Sequence, residues 1–210
     1  MNGNKDNIFT TVTHQPVLKV NGSKLELPKA TAGLGYVKTS HTGDNMKTFT
    51  VEKTSDGMSW GAVYAQFMQD VTDIAGASEG MTVKREIMKD GKVLADGAQL
   101  AVGDKIKVRI TVTASRDYDF VQIVDKRAAC MEPVMQLSGY RGVCYCAQGD
   151  NRTGYYFDRM SKGSHIVEAE YYVDRAGTYS TGTCTVQCAY SPEYSARAAA
   201  MTISVSEDKQ

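Results

Sequence analysis

The side chains of this sequence that could do chemistry fall into three sets. Gly57-Met58-Ser59-Trp60-Gly61 fits G-x-S-x-G, the pattern that exposes a nucleophilic serine on a sharp turn between a strand and a helix. With Asp125 or Asp158 as acid and His165 as base, the serine, acid, histidine order of an α/β-hydrolase can be written. The second set is Cys144-x-Cys146 with Cys184-x3-Cys188, four thiolates of the kind that close a tetrahedral zinc site, and Cys130 is a fifth thiol. The third is aromatic: nine of the twelve tyrosines lie at or after Tyr140, among them Tyr155-Tyr156-Phe157 and Tyr171-Tyr172.

Each chemistry needs elements that would position it, and the dominant hydrophobic period here is two, the period of strands. A hydrolase elbow needs alternating strands and helices and a glycine-rich oxyanion loop, neither of which the sequence supplies. Gly57 and Gly61 therefore read as turn glycines beside a packed Trp60. The cysteine spacings differ from the C-x2-C knuckle whose turn aims two sulfurs at one ion. On a strand, Cys184 and Cys188 stand about 13 Å apart, too far to pair or to share a metal. The five cysteines read first as small buried strand-face residues and second as partners in a cross-strand disulfide, and an odd count leaves at least one thiol unpaired. His14, His41 and His165 show no ligand spacing, and Asn21-Gly22-Ser23 and Asn151-Arg152-Thr153 match the glycosylation sequon, a motif common by chance. Adjacent aromatics on a strand point to opposite faces, so one ring of each pair belongs to the core and the other to solvent or a contact. Tyr155, Tyr156, Tyr172 and Tyr190 are the candidates for a protein-binding surface, against ordinary cross-strand aromatic packing.

The strands themselves are legible. Ile106, Val108, Ile110 and Val112 alternate with charges and threonines over 105–113; Val167, Ala169, Tyr171 and Val173 alternate with Glu168, Glu170 and Tyr172; Met201, Ile203 and Val205 repeat the pattern. Asn21-Gly22 joins 17–20 to 24–27 and Asp90-Gly91 joins 85–89 to 92–95, both dipeptides suiting the positive φ of a type I′ hairpin. Further breaks are expected at Gly43-Asp44, Asp56-Gly57, Gly103-Asp104, Gly149-Asp150, Lys162-Gly163 and Ala176-Gly177. Turn signals this frequent predict an all-β protein of one or two antiparallel sandwiches. One segment dissents: Trp60, Val63, Tyr64, Phe67, Val71 and Ile74 fall at helical spacing. The Gly76–Gly80 stretch after it is the expected linker.

Composition narrows function. The chain has 210 residues, 42% of them hydrophobic, which suffices for one large or two small cored domains. With 24 basic against 24 acidic side chains, it lacks the basic excess that electrostatic binding of nucleic acid or an anionic membrane needs. It has no apolar run long enough to span a membrane as a helix, and its first seven residues are polar, unlike a secretion signal. No P-loop, dinucleotide fingerprint, H-E-x-x-H or calcium loop is present, so neither an enzyme's site nor a cofactor is expected.

Several strings taken together extend this reading: Trp60-Gly61-Ala62-Val63-Tyr64, Gly103-Asp104-Lys105-Ile106-Lys107-Val108, Arg116-Asp117-Tyr118-Asp119-Phe120-Val121, Glu132-Pro133-Val134, Leu137-Ser138-Gly139-Tyr140, Tyr155-Tyr156-Phe157, Arg175-Ala176-Gly177-Thr178-Tyr179 and Tyr190-Ser191-Pro192-Glu193. In this order, from about Val17 to Val205, the sequence resembles the carboxy-terminal end of bacterial alpha-2-macroglobulin-like proteins. The resemblance implies a CUB-like β-domain over 8–75, partial or whole, and a terminal macroglobulin-type, immunoglobulin-like sandwich over 80–208. It turns Trp60 to Gln69 into the last strand before the terminal domain, against the helical spacing. It also implies trapping of proteases by the whole family protein, with export to the periplasm or cell envelope. The sequence has no C-x-E-Q thioester motif, so no trapping residue carries over. Two functions are expected from this. One is a non-catalytic terminal portion of such an inhibitor, touching upstream macroglobulin domains or the protease. The alternative is a free-standing cell-surface binding or adhesion module without inhibitor activity.

Overall fold

Strands form where the two-residue alternation is cleanest. The structure, a computed structural model, describes residues 16–26, 38–40, 47–54 and 59–207. Among these residues there is no α-helix, and a single 3-10 turn spans Val71–Asp73. The all-β expectation therefore holds. His14, His41, residues 8–15 and the breaks at Gly43-Asp44 and Asp56-Gly57 lie outside the described residues.

The chain divides into two units, residues 1–66 and 67–210. In the first, β1 (Val17–Val20), β2 (Ser23–Lys24) and β3 (Phe49–Glu52) form an antiparallel sheet in the order β2-β1-β3. Asn21 and Gly22 take φ of 49° and 81°, the paired positive values that the hairpin spacing predicts. The Asn21 Oδ1 accepts from the Lys47 and Thr48 amides at 2.8 and 3.0 Å, fastening β3 beside the hairpin.

Residues 59–70 correct the reading on both counts: they are neither the helix their spacing suggests nor the strand implied for Trp60 to Gln69. The run pairs with no strand among the described residues and leaves Trp60, Tyr64 and Met68 exposed. Apolar spacing makes a helix only when one face has a surface to bury against, because isolated short helices are marginal in water.

In the second unit a five-stranded sheet and a seven-stranded sheet enclose the core. The first contains β5 (Met81–Lys89), β6 (Lys92–Val93), β8 (Lys105–Ala114), β10 (Met131–Pro133) and β14 (Gly163–Val173), in the order β10-β14-β8-β5-β6. The second contains β4 (Ala77–Glu79), β9 (Tyr118–Lys126), β11 (Gly139–Arg141), β12 (Cys144–Gln148), β13 (Arg152–Met160), β16 (Cys184–Cys188) and β17 (Ser195–Ala198), in the order β11-β12-β13-β9-β16-β17-β4. β7 (Ala98–Ala101), β15 (Gly177–Ser180) and β18 (Thr202–Ser206) make a small third sheet, in which β18 pairs with β7 in parallel, unlike the other pairings among the described residues. The predicted inward residues of β8 and β14 are all buried, as are Ile203 and Val205 on β18. Asp90 and Gly91 take φ of 50° and 77° in the β5–β6 hairpin. The stretch expected as a linker, Gly76–Gly80, contains β4, which pairs with β17 at the edge of the seven-stranded sheet.

One charged contact crosses the core. Arg85 on β5 and Asp125 on β9 are 3% and 1% exposed, and the Arg85 Nε lies 2.7 Å from the Asp125 Oδ1. The rest of the guanidinium donates to the carbonyls of Lys126, Thr181 and Gly182 and to the Thr181 hydroxyl, at 2.9 to 3.3 Å. The Thr181 amide in turn donates to the Met201 carbonyl, just before β18, and the Thr181 hydroxyl accepts from the Met201 amide. Arg85 thus links three sheets. The loop it grips needs a glycine at 182: φ is +70°, and a Cβ there would lie 2.7 Å from the Lys126 Cβ.

Removing one partner strands a buried charge, so Arg85→Met should destabilise the fold by about 3 kcal/mol or more. Lys84→Met, which removes the exposed neighbouring cation, should cost within about 0.5 kcal/mol. Urea denaturation of the two variants decides the point, and equal losses would contradict it.

Candidate functional site

Strand parity sorts the candidate tyrosines. On β13, Tyr155 turns inward and is 2% exposed, so it belongs to the core and cannot supply an outside contact. Its hydroxyl is pushed well above the ordinary phenol range by burial. Tyr156 turns outward on the same strand. Tyr172 sits on the outer face of the five-stranded sheet, opposite Lys105 in the β14–β8 register. Tyr190 follows β16, its ring meeting that of Phe120 edge-on at 5.2 Å, and both rings are exposed. The Tyr156 and Tyr172 rings occupy outer faces of different sheets, so the candidates do not make one surface.

Phe120 takes φ of +53°, a conformation that bulky side chains rarely adopt, and the Ala189 amide donates to its carbonyl at 2.8 Å. Sequence reasoning singled out neither Phe120 nor Tyr140 and Tyr145. For the last two the signal was available: Cys144 and Cys146 face inward, so Tyr145 between them must face out, opposite Tyr140 on β11.

All five cysteines, Cys130, Cys144, Cys146, Cys184 and Cys188, are buried and unbridged. Each lies on an apolar strand face or against the core, and burial raises the thiol pKa of Cys130 to about 11 and those of Cys144, Cys146 and Cys184 upward. Among the described residues, no group of three or more His, Cys, Asp or Glu is placed to hold a metal.

Asp125, written above as a hydrolase acid, is committed elsewhere. In register with it across β9 stand Thr153 on β13 and Cys184 on β16. Arg85 meets its carboxylate as a charge, without the alignment of a hydrogen bond. Burial raises the Asp125 pKa from 3.8 to about 6, with the charges of Arg85 and Arg127 pulling the other way. Thr153 extends the polar layer, contacting the Tyr171 hydroxyl and donating to the Gln148 carboxamide, each at 2.9 Å. His165 is half-buried and its Nε2 lies 2.7 Å from the Ser161 carbonyl. A cleft of about 370 Å³ opens where β11 and β12 meet β14, with Cys144, Tyr155 and Phe157 at its floor and Arg141 and His165 at its rim.

Two outcomes follow from these environments. Because the folded state holds the Asp125 proton more tightly than the unfolded chain, its stabilisation is full below about pH 4 and is lost as pH rises through about 6. The rise from 3.8 to about 6 is equivalent to about 3 kcal/mol. The melting temperature of the protein should fall relative to Asp125→Asn between pH 4 and 7, and a constant difference would contradict the assignment. For the cysteines, a thiol reagent should modify five thiols in denaturant and none rapidly in buffer. A count below five in denaturant without reductant would reveal a bridge.

Comparison with known proteins places the fold. The model of the bacterial alpha-2-macroglobulin MG10 domain matches residues 80–193, more than half of the chain. No curated protein sequence matches. Among solved structures, Salmonella alpha-2-macroglobulin reacted with methylamine is similar with a TM-score of 0.53 at 18% identity, over 63% of this chain and 10% of that one. Native Escherichia coli alpha-2-macroglobulin, spanning domain MG7 to the C-terminus, gives 0.55 at 19% over 64% of this chain and 24% of that one. The native conformation of the E. coli protein by cryo-EM gives 0.54 at 17% over 78% of this chain and 12% of that one. The chain therefore spans about a tenth of the length of the Salmonella protein.

Proposed function

The chain belongs to the bacterial alpha-2-macroglobulin MG10 domain family, and from that premise we propose that it works as the non-catalytic carboxy-terminal portion of a macroglobulin-like protease inhibitor. The observation that carries the reading is the family match over residues 80–193, the stretch that folds as the two-layer second unit. On this reading residues 80–208 are the terminal macroglobulin domain and residues 8–75 a CUB-like domain. The partners are other macroglobulin domains and a captured protease, and the location is the periplasm or cell envelope.

Two features support a role in contact rather than catalysis. In the first unit Trp60, Val63 and Tyr64 are exposed, apolar side chains that neighbouring protein is suited to cover. Of the nucleophile-and-base set written from the sequence, Asp125 is sealed against Arg85 and the His165 Nε2 lies against the Ser161 carbonyl, while Gly57 and Met58 lie outside the described residues.

The 210-residue chain in tenfold molar excess over trypsin should leave casein cleavage unchanged, because the reading gives it no trap of its own. Inhibition beyond half would overturn it. In cells, an antibody to the chain should detect it in the periplasmic or envelope fraction, within a polypeptide carrying further macroglobulin domains. A free-standing cytoplasmic product would sink the proposal.

A further inference from the structure

β14 is the longest strand among the described residues, and much of one edge is bare. β8 pairs with it from Gly163 to Tyr172, but on the other side β10 reaches only Tyr171 to Val173. The Val134 amide adds one bond, to the Glu170 carbonyl at 3.0 Å, and no strand among the described residues pairs with this edge at 163–169. Backbone groups alternate sides along an antiparallel strand. Val173 exchanges bonds with Gly103 and Asp104, on the β8 side, whereas Glu170 faces Val134. The N–H and C=O of Ser164, Ile166 and Glu168, which share the parity of Glu170, therefore point to the bare edge.

That edge is one wall of the cleft of about 370 Å³. Five consecutive residues, Ser164 to Glu168, line it, although their side chains alternate between the inside and the outside of the sheet. Both parities meet one cleft where the backbone edge itself is the wall. The β11–β12 hairpin supplies the opposite wall through Arg141 and Val143, and Phe157 and Tyr155 supply the floor. Ile166 and Val143, on the two walls, are 60% and 78% exposed. Sheets ordinarily blunt an edge by keeping it short or by placing lysine or proline on it. The edge strands β4, β6, β7, β11 and β15 have two to four residues each. The first half of β5, also unpaired on its outer side, lies against β4 and β17. The stretch 163–169 is long and carries neither lysine nor proline.

We propose that this cleft binds a linear polypeptide segment in extended conformation, which adds to the free edge of β14 in line with β10, a site independent of the inhibitor reading. The edge itself specifies the chemistry of the occupant. Donors and acceptors that repeat at every second residue are matched by another peptide backbone, whose groups repeat at the same interval. β10 already takes this edge, and after Val134 the chain leaves for β11 in the other sheet, ending the ladder beside the cleft. The hairpin wall leaves room for a single strand rather than the rim of a folded sheet. On an added antiparallel strand, residues opposite Ser164, Ile166 and Glu168 exchange backbone bonds and face outward, while those opposite His165 and Val167 turn inward. The inward ones meet Phe157, whose ring stands edge-on to His165 at 6.2 Å, so apolar side chains two residues apart suit them. Glu168 is held by Lys107 and Arg109, whereas the Arg141 guanidinium donates to the Leu137 carbonyl at 3.3 Å and meets no carboxylate among the described residues. An acidic residue at one end of the segment therefore complements the rim.

Fluorescence anisotropy tests the site on the 210-residue chain. The probe is a labelled peptide as long as 163–169, alternating valine and threonine and ending in glutamate. It should bind with a Kd below about 1 mM. With the valines inward, the threonine amides face β14, so N-methylating the threonines should weaken binding at least tenfold and N-methylating the valines should not. Ile166→Pro deletes an amide that faces the bare edge and none that faces β8, so the fold should persist while binding falls at least tenfold. Thermal melts report whether it folds. Should Ile166→Pro unfold, Val143→Asp on the exposed opposite wall replaces it, with the same loss expected. Tyr145→Ala, on the outer face of the other sheet, should bind the probe unchanged. Absence of binding by the unmodified peptide, equal loss from the two methylated peptides, or undiminished binding by the folded wall variant overturns the proposal. So does self-association of the chain that Ile166→Pro abolishes, which would give the edge to a second copy.

Discussion

Arg85 reaches from one layer of the second unit into the space between the sheets, and everything around it is arranged so that its charge is not left alone. Asp125 supplies the counter-charge at 2.7 Å, and the carbonyls of Lys126, Thr181 and Gly182 take the remaining donors. A buried ion pair adds little net stability, because desolvating both charges offsets most of their attraction, but losing either partner is expensive. The pair therefore constrains geometry more than it stabilises. It fixes which residue of β5 faces which residue of β9, and through Thr181 it fixes where the third sheet joins. A slip of one residue on either strand would turn a charge out to solvent and its partner into an apolar core.

The same parity that places this pair inside gives the two layers different outsides. On β8 and β14 the buried inward residues are aliphatic or aromatic, and the outward Lys105, Lys107, Arg109, Glu168 and Glu170 neutralise one another across the strands beside the exposed Ile166 and Tyr172. On β12 and β13 the inward positions hold Cys144, Cys146, Tyr155 and Phe157, and the outward ones hold Tyr145, Ala147, Gly154 and Tyr156 between Arg152 and Asp158. The cysteines are thus packing residues whose thiols stay protonated because burial disfavours the thiolate. The tyrosines beside them are the surface. The two outer faces differ in composition, and both follow from a single sandwich.

The alternating runs of β8, β14 and β18 and the Asn-Gly and Asp-Gly hairpins were legible in the sequence, because strand parity and turn φ are local properties. The tyrosine pairs were legible to the same degree: one inward and one outward, without saying which. Residues 60–69 were misread because apolar spacing describes a face, and whether a helix or strand forms depends on what that face meets. Asp125 was considered only as an acid for catalysis. That it faces Arg85, forty residues earlier in the chain, depends on two sheets stacking, which no local pattern encodes.

By itself, then, the sequence determined that the chain is all-β and that the carboxy-terminal part resembles a macroglobulin domain. The first follows from period and turn chemistry, which act over a few residues, and the resemblance rests on the ordered strings from Trp60 to Glu193. Only the tertiary structure decided that Tyr155 belongs to the core, that the five thiols are unbridged, and that Tyr140, Tyr145, Tyr156, Gln122, Gln187 and Ser195 stand in one row. Those residues are scattered over more than seventy positions of sequence, and only the register of hydrogen-bonded strands brings them side by side.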